Sequence, residues 1–186
     1  MDWVLDIYNY KPCNEQEEKD KEAILEFIKN NDNVLLRENK TAHITSSAFV
    51  LNKERDKTLM IHHNIYNSWA WTGGHADGDS NLYKVSLKEL KEETGVLGRK
   101  NILGKENIAS IDILPVFGHI KNGKYVSAHL HLSIAYLIEA NEEDKLSIKE
   151  DENSNVKWIK IKDLESVIKD EPHMKYVYNK ILDKLR

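Results

Sequence analysis

The sequence predicts an α/β protein. Two observations carry that expectation. Segments with apolar residues at helical spacing alternate with segments rich in β-branched and apolar residues, and a glycine-rich loop joins a strand-like stretch to a helix. The 186 residues fit one main domain with room for a small extension, since a single core commonly serves roughly 100–200 residues.

Asn14, followed three residues later by Glu17, resembles a capping box, and Ala23, Ile24, Phe27 and Ile28 then form one apolar stripe. This predicts a helix over Asn14 to Lys29, ended by the polar cluster Asn30 to Asn33. Residues 1–39 are read as an N-terminal helical extension packed on a main domain of residues 40–186. Ile44 to Leu51 and Thr58 to His63 are strand-like and flank a charged turn, which predicts a hairpin. Trp69 and Trp71 sit two apart, as on one face of a short strand, just before Gly73 and Gly74.

Leu82 to Glu93 reads as a helix with Gly95 as its C-terminal stop. Strands are expected near Ile108 to Gly118, at Lys124 to Glu139 and, after a polar stretch, at Val156 to Ile161. Two helices close the chain, Lys162 to Lys169 and Pro172 to Leu185, the second opening on a proline whose missing donor costs nothing there.

Composition excludes several classes. Hydrophobic residues make up 40% and charged residues 31%, an ordinary globular balance. A net charge of -4 argues against broad binding to a DNA or RNA duplex, which needs a concentrated basic face. It does not exclude a small phosphate substrate, because bound divalent metal makes a carboxylate site locally positive. With Cys13 as the sole cysteine, an intramolecular disulfide and a cysteine-rich zinc site are both ruled out. No apolar run approaches the roughly 18 residues that span a membrane, and Met1 to Tyr10 lacks the basic and apolar regions of a secretory signal. The expected setting is the reducing cytoplasm.

The helix at Leu82 to Glu93 conflicts with its own stability. Glu89, Glu92 and Glu93 stand at i, i+3 and i+4, on one face. Such like-charge pairs cost roughly 0.2–0.5 kcal/mol each, and anions in a last turn oppose the helix dipole. Lys88 and Lys91 relieve part of the repulsion, as on a plain solvated face. Just upstream, however, Gly73, Gly74 and Gly78 are interleaved with His75, Asp77 and Asp79, a loop able to bring backbone close to a ligand. Local conflict beside a specialised loop points to function. Clustered carboxylates are hard ligands suited to Mg²⁺ or Mn²⁺, ions that share their shells with substrate phosphates.

These residues resemble the Nudix hydrolase signature: Gly, five residues, Glu, seven residues, Arg-Glu, an aliphatic, any residue, Glu-Glu, any residue, Gly, an aliphatic. Gly74, Glu89, Leu90, Glu92, Glu93, Gly95 and Val96 match it, while Ser80 replaces the first glutamate and Lys88 the arginine. Trp69 precedes the paired glycines at the family's usual spacing, and the likeness covers roughly residues 43 to 170.

The resemblance implies an α/β/α sandwich with a mixed sheet, and a magnesium-dependent hydrolase acting on a nucleoside diphosphate linked to another group. It implies Glu89, Glu92 and Glu93 as metal ligands, with Glu150 and Glu152 as candidates for a further ligand or base. Glu92 is the first choice for the base. Asp77 or Asp79 takes over part of the missing glutamate's support of the loop, and Lys88 keeps arginine's charge without its planar fork. Activity tuned or slowed, rather than lost, is the implied result.

His129 and His131 share one face of a strand, and a zinc pair has this spacing. With no third ligand at convincing spacing, a contact in the substrate cleft is the preferred functional reading, against plain hydrogen-bonded strand residues. His75 could donate to a phosphate or stabilise the loop, and Trp69 could stack on a base or belong to the core. Two other functions stay open: a Nudix-fold binding or sensing domain without turnover, supported by Ser80 and Lys88, and an isopentenyl diphosphate isomerase, disfavoured because Cys13 lies far from the signature. A homodimer is also left open.

Overall fold

The computed structural model describes residues 2–121, 123–168 and 171–185. Among the described residues ten strands and five helices follow in chain order: α1 (Trp3–Asn9), α2 (Glu15–Asn30), β1 (Ala42–Leu51), β2 (Lys57–His63), β3 (Ser68–Ala70), β4 (Thr72–His75) and α3 (Leu82–Thr94). Then come β5 (Gly98–Asn101), β6 (Ser110–Val116), β7 (His119–Lys121), β8 (Lys124–Val126), β9 (His129–Ala140), β10 (Asn153–Lys160), α4 (Ile161–Val167) and α5 (Pro172–Asp183).

Eight strands make one mixed sheet with the backbone order β10-β2-β1-β9-β5; β3 adds to β2, β4 to β1 and β6 to β9. Its centre is the parallel pair β1 and β9, in register from Ala42 opposite Leu130 to Leu51 opposite Glu139. The other ladders are antiparallel.

Side-chain alternation on these central strands assigns each residue a layer. Ile44, Val50, Leu132, Ile134 and Ile138 point to one face, where they pack with Ile7, Ile24, Leu82 and Leu90 from α1, α2 and α3. Phe49, Leu51, Met60 and Leu137 point to the other, against Leu164, Val177, Tyr178 and Ile181 of α4 and α5. Helices thus cover both faces, the α/β/α sandwich with a mixed sheet that the sequence implies.

Most elements fall where periodicity places them. The β1–β2 hairpin turns at Asn52, whose side-chain oxygen accepts from the N–H groups of Asp56 and Lys57. Asn14 caps α2 by accepting from Glu17 N–H, but Glu17 returns its carboxylate to Cys13 N–H, one residue before the capping position. Gly95 closes α3 in the left-handed region, at φ +77°.

Four features depart from expectation. The seven-residue α1 and the short β5 have too few residues for periodicity to show. The stretch Lys124 to Glu139 is two strands, since β8 leaves the main sheet to pair with β7 in a separate ribbon. The first closing helix begins at Ile161, and its expected end at Lys169 lies outside the described residues. No helix among the described residues is long and apolar enough to cross a membrane.

The N-terminal segment is bound to the C-terminal helix by a buried polar network. Glu17 is fully buried, accepts from the Tyr10 hydroxyl at 2.6 Å and lies 3.3 Å from Lys180 Nζ. Lys180 also reaches Asp112 on β6 at 2.5 Å.

Candidate active site

The glutamates of α3 separate by exposure. Leu82, Val85 and Leu90 face the core, which turns Glu89 and Glu93 toward β4, where they are 8% and 2% exposed. Gly73 N–H donates to Glu93 Oε2 at 2.9 Å. A Cβ at Gly74 would fall 2.7 Å from Glu89 Oε2, so a glycine is needed for the carboxylate to lie there. The Glu93 carbonyl accepts from the buried Asn153 amide at 3.0 Å, which ties β10 to the same turn.

Burial raises both carboxyls. Glu93 is pushed up to about 8, chiefly by desolvation, with the Gly73 bond pulling back and Glu89 adding to the rise. Glu89 is raised by desolvation and by Glu92, against the opposing pull of Lys88. Such a pair calls for a cation beside it.

Glu92 points to the rim, with its side chain 41% exposed. Lys88 Nζ lies 3.6 Å from Glu89 and 3.6 Å from Glu92, and Lys149 Nζ lies 3.8 Å from Glu92 and 3.1 Å from Glu152. Two ammonium groups therefore run through the acidic cluster, and a divalent ion would compete with them. Glu152 joins this cluster. Glu150 is exposed, and its carbonyl accepts from Asn64.

On the α4–α5 side of the sheet, each central strand changes character along its length. Under α4 and α5 it is apolar; beyond them it carries His43, Thr45 and Ser47 on β1 and His129, His131 and Ser133 on β9. These polar positions line a cleft of about 730 Å³, together with Trp69, Gly73, Gly74, His75 and Glu93. His75 arrives from β4 opposite Thr45, and His131 from β9 opposite His43. The four imidazoles form one cluster, with ligand nitrogens within 4.8 Å of one another. Desolvation holds His75 at about 3 and His131 at about 2, so both rings are neutral at neutral pH.

Aromatic and basic side chains, Trp69, Tyr66 and Arg37 among them, also line the cleft. Trp69 lies under Lys157 Nζ at 4.3 Å from its ring centroid. Trp71 is instead buried, its ring 5.3 Å from Tyr178. Arg37 pairs with Asp77 in the glycine loop, its Nε donating at 2.6 Å.

Comparison with known proteins matches residues 41–181 to the NUDIX domain family. The chain belongs to the Nudix family. Solved structures agree at the level of fold: MutT from Methanosarcina mazei Go1 (TM-score 0.56, 14% identity, 80% of this chain and 98% of that one) and a Caenorhabditis elegans Ap4A hydrolase complex (TM-score 0.51, 18% identity, 76% and 96%). A NUDIX-family hydrolase from Clostridium perfringens gives a TM-score of 0.50 at 21% identity, covering 77% and 98%. No curated protein matches the sequence significantly.

As a Nudix protein the chain is a pyrophosphohydrolase by family, and its two signature departures have visible surroundings. Ser80 lies beside Asn81, Tyr83 and Trp3, away from the glutamates. Asp79 accepts from Asn81 N–H at 2.9 Å at the entry to α3, while Asp77, in the positive-φ region, anchors the Nudix loop to Arg37. Both aspartates therefore hold the loop. Lys88 touches two carboxylates as a point charge rather than a fork.

The sequence reading left three groups out. Lys149 and Arg37 carry no motif. His43 opens a strand whose neighbours are apolar, and only the β1–β9 register puts it opposite His131. His43 and His75 stand beside the His129–His131 pair as two further imidazoles that spacing alone could not reveal.

Proposed function

We propose that this Nudix hydrolase cleaves the diphosphate linkage of a nucleoside diphosphate joined to another group, with Mg²⁺, or Mn²⁺ in its place, held by Glu89, Glu92, Glu93 and Glu152. One observation carries the reading: Glu89 and Glu93 are buried against the glycines of β4, and Glu93 lines the cleft. Hard oxygen donors and two carboxyls raised by burial fit such an ion.

When bound, the ion supplies positive charge against the developing charge on phosphorus. The protein's own part begins with Trp69, which stacks on the base at the cleft wall. Gly74 brings backbone to the diphosphate, and His75, His129 and His131 line its path. Glu92, the most exposed of the three helix glutamates, takes the proton from the attacking water. Lys88 holds Glu89 and Glu92 in position.

A second reading, a nucleotide-binding domain without turnover, is favoured by one feature: Lys88 and Lys149 already neutralise Glu92. Incubation with a panel of nucleoside diphosphate compounds, with and without Mg²⁺, separates the two. Metal-dependent release of a nucleoside monophosphate is expected, with nearly all turnover lost in a folded Glu92→Gln. Binding without release supports the second reading, and full activity in Glu92→Gln removes that residue from the mechanism.

A further inference from the structure

We propose that His43, His75, His129 and His131 bind one imidazole-preferring divalent metal ion of the zinc class in the cleft, at a site distinct from the carboxylates of α3. Three strands supply the ligands, and none of them comes from the signature helix: β1 gives His43, β4 gives His75, and β9 gives the other two. Their ligand nitrogens lie within 4.8 Å of one another. A tetrahedral zinc–imidazole site has nitrogen–nitrogen edges of about 3.3 Å, given Zn–N bonds of about 2.0–2.1 Å. His129 Nε2 and His131 Nε2 already stand 3.3 Å apart. The remaining edges close if each ring moves inward by roughly 1 Å, a small side-chain adjustment for such a site.

Tautomer control supports the same assignment. His43 Nδ1 is 2.9 Å from the Asn39 carbonyl, and His129 Nδ1 is 2.8 Å from the Ser127 carbonyl. A carbonyl can only accept, so both Nδ1 atoms carry protons, which leaves Nε2 of each ring as the nitrogen that faces the cluster. Metal-bound histidines are commonly oriented in this way by a carbonyl on the far nitrogen. His43 is 4% exposed, and its Nε2 has no hydrogen-bond partner. An orphaned buried acceptor aimed at three other imidazoles is costly in a plain core and is satisfied by a cation.

The donor set decides the ion. Four imidazole nitrogens suit Zn²⁺, Co²⁺ or Ni²⁺ rather than the oxygen-seeking Mg²⁺. His75, His129 and His131 are only partly buried, and all four rings line the cleft. Four imidazoles fill a tetrahedral shell, so an anionic substrate oxygen enters only as a fifth ligand from the cleft side. The histidines then meet the substrate through the ion rather than by donating hydrogen bonds themselves.

Cobalt is the probe. Chelator-stripped full-length protein, titrated with Co²⁺ in millimolar Mg²⁺, is expected to bind one equivalent and to show the intense visible bands of tetrahedral cobalt; Zn²⁺ should displace it stoichiometrically. His131→Ala should weaken binding by more than about 100-fold, beyond the loss of an outer-shell partner, with a native far-UV spectrum. Should that variant fail to fold, His129→Ala, at the strand's partly buried start, replaces it. Glu89→Gln and Glu92→Gln should leave the bands unchanged, which separates this site from the proposed magnesium site. The proposal is overturned if the native protein takes up no stoichiometric cobalt, if the histidine variants keep the bands, or if the glutamate variants abolish them.

Discussion

Gly73 N–H donates to the Glu93 carboxylate across 2.9 Å, joining β4 to the last turn of α3. The bond fixes an acid that burial would otherwise expel, and it leaves the second carboxylate oxygen free for another partner. Glu93 is therefore structural glue and an electrostatic liability at once.

That liability sets a pH dependence. Glu93 titrates at about 8 when folded against an ordinary value of 4.5, so the folded state holds its proton more tightly. Its contribution to stability is complete below about pH 4.5 and is lost as pH rises through about 8. Denaturant unfolding of metal-free protein should show this decline, on the order of a few kcal/mol, and Glu93→Gln should flatten it. Identical pH profiles for the two proteins would refute the assignment. The buried histidines act in the opposite sense: His75 and His131, at about 3 and about 2 against 6.5, add stability near neutrality that is lost as pH falls toward those values.

The two glycines of β4 should respond differently to alanine. At Gly74 the added methyl meets the Glu89 carboxylate, the end of a flexible side chain. At Gly73 it comes 2.9 Å from the Ser46 backbone carbonyl, which cannot swing away. Gly73→Ala should cost about 1–3 kcal/mol in denaturant unfolding, whereas Gly74→Ala should cost less than that and lower turnover by at least about tenfold. Equal stability losses would show that Glu89 is not free to move.

The buried network tests how firmly the N-terminal helices are fixed. Lys180→Met removes the cation between Glu17 and Asp112 and should destabilise the protein by about 3–5 kcal/mol in denaturant unfolding. Adding Asp112→Leu should recover part of that loss. No recovery would mean that Glu17 alone carries the penalty.

Trp69 and Trp71 predict a fluorescence result. Both line the cleft, Trp69 half-buried and Trp71 more deeply buried and packed on Tyr178. Binding of a nucleoside diphosphate compound should quench tryptophan emission, and Trp69→Leu should abolish most of the quenching while raising KM more than it lowers kcat. Quenching that survives this substitution would place the base elsewhere.

What the sequence disclosed follows from range. Periodicity and caps act within a few residues, so α2, α3, β1 and α5 were legible, as was the glycine–glutamate motif, which is local by construction. The α1 helix was not, because seven residues hold barely two turns and Ile7 is its sole fully buried residue. The histidine cluster was legible only in part, since His75, His129 and His131 stood out in the sequence while His43, and the meeting of all four, did not. Its members lie up to 88 positions apart, from His43 to His131, and meet only through the pairing of β1 with β9 and β4. Lys149 likewise reaches Glu92 from a coil segment whose placement depends on Asn153 and β10.

The alternation along β1 and β9 has a consequence for how this chain can change. Ile44 and His43 are adjacent, one packed among α1 to α3 and the other opening on the cleft. Inserting or deleting a single residue ahead of them would exchange the two, thrusting an imidazole into oil and an isoleucine into water. Substitutions can remodel the cleft freely, but a frame shift of one position in these two strands would dismantle fold and site together.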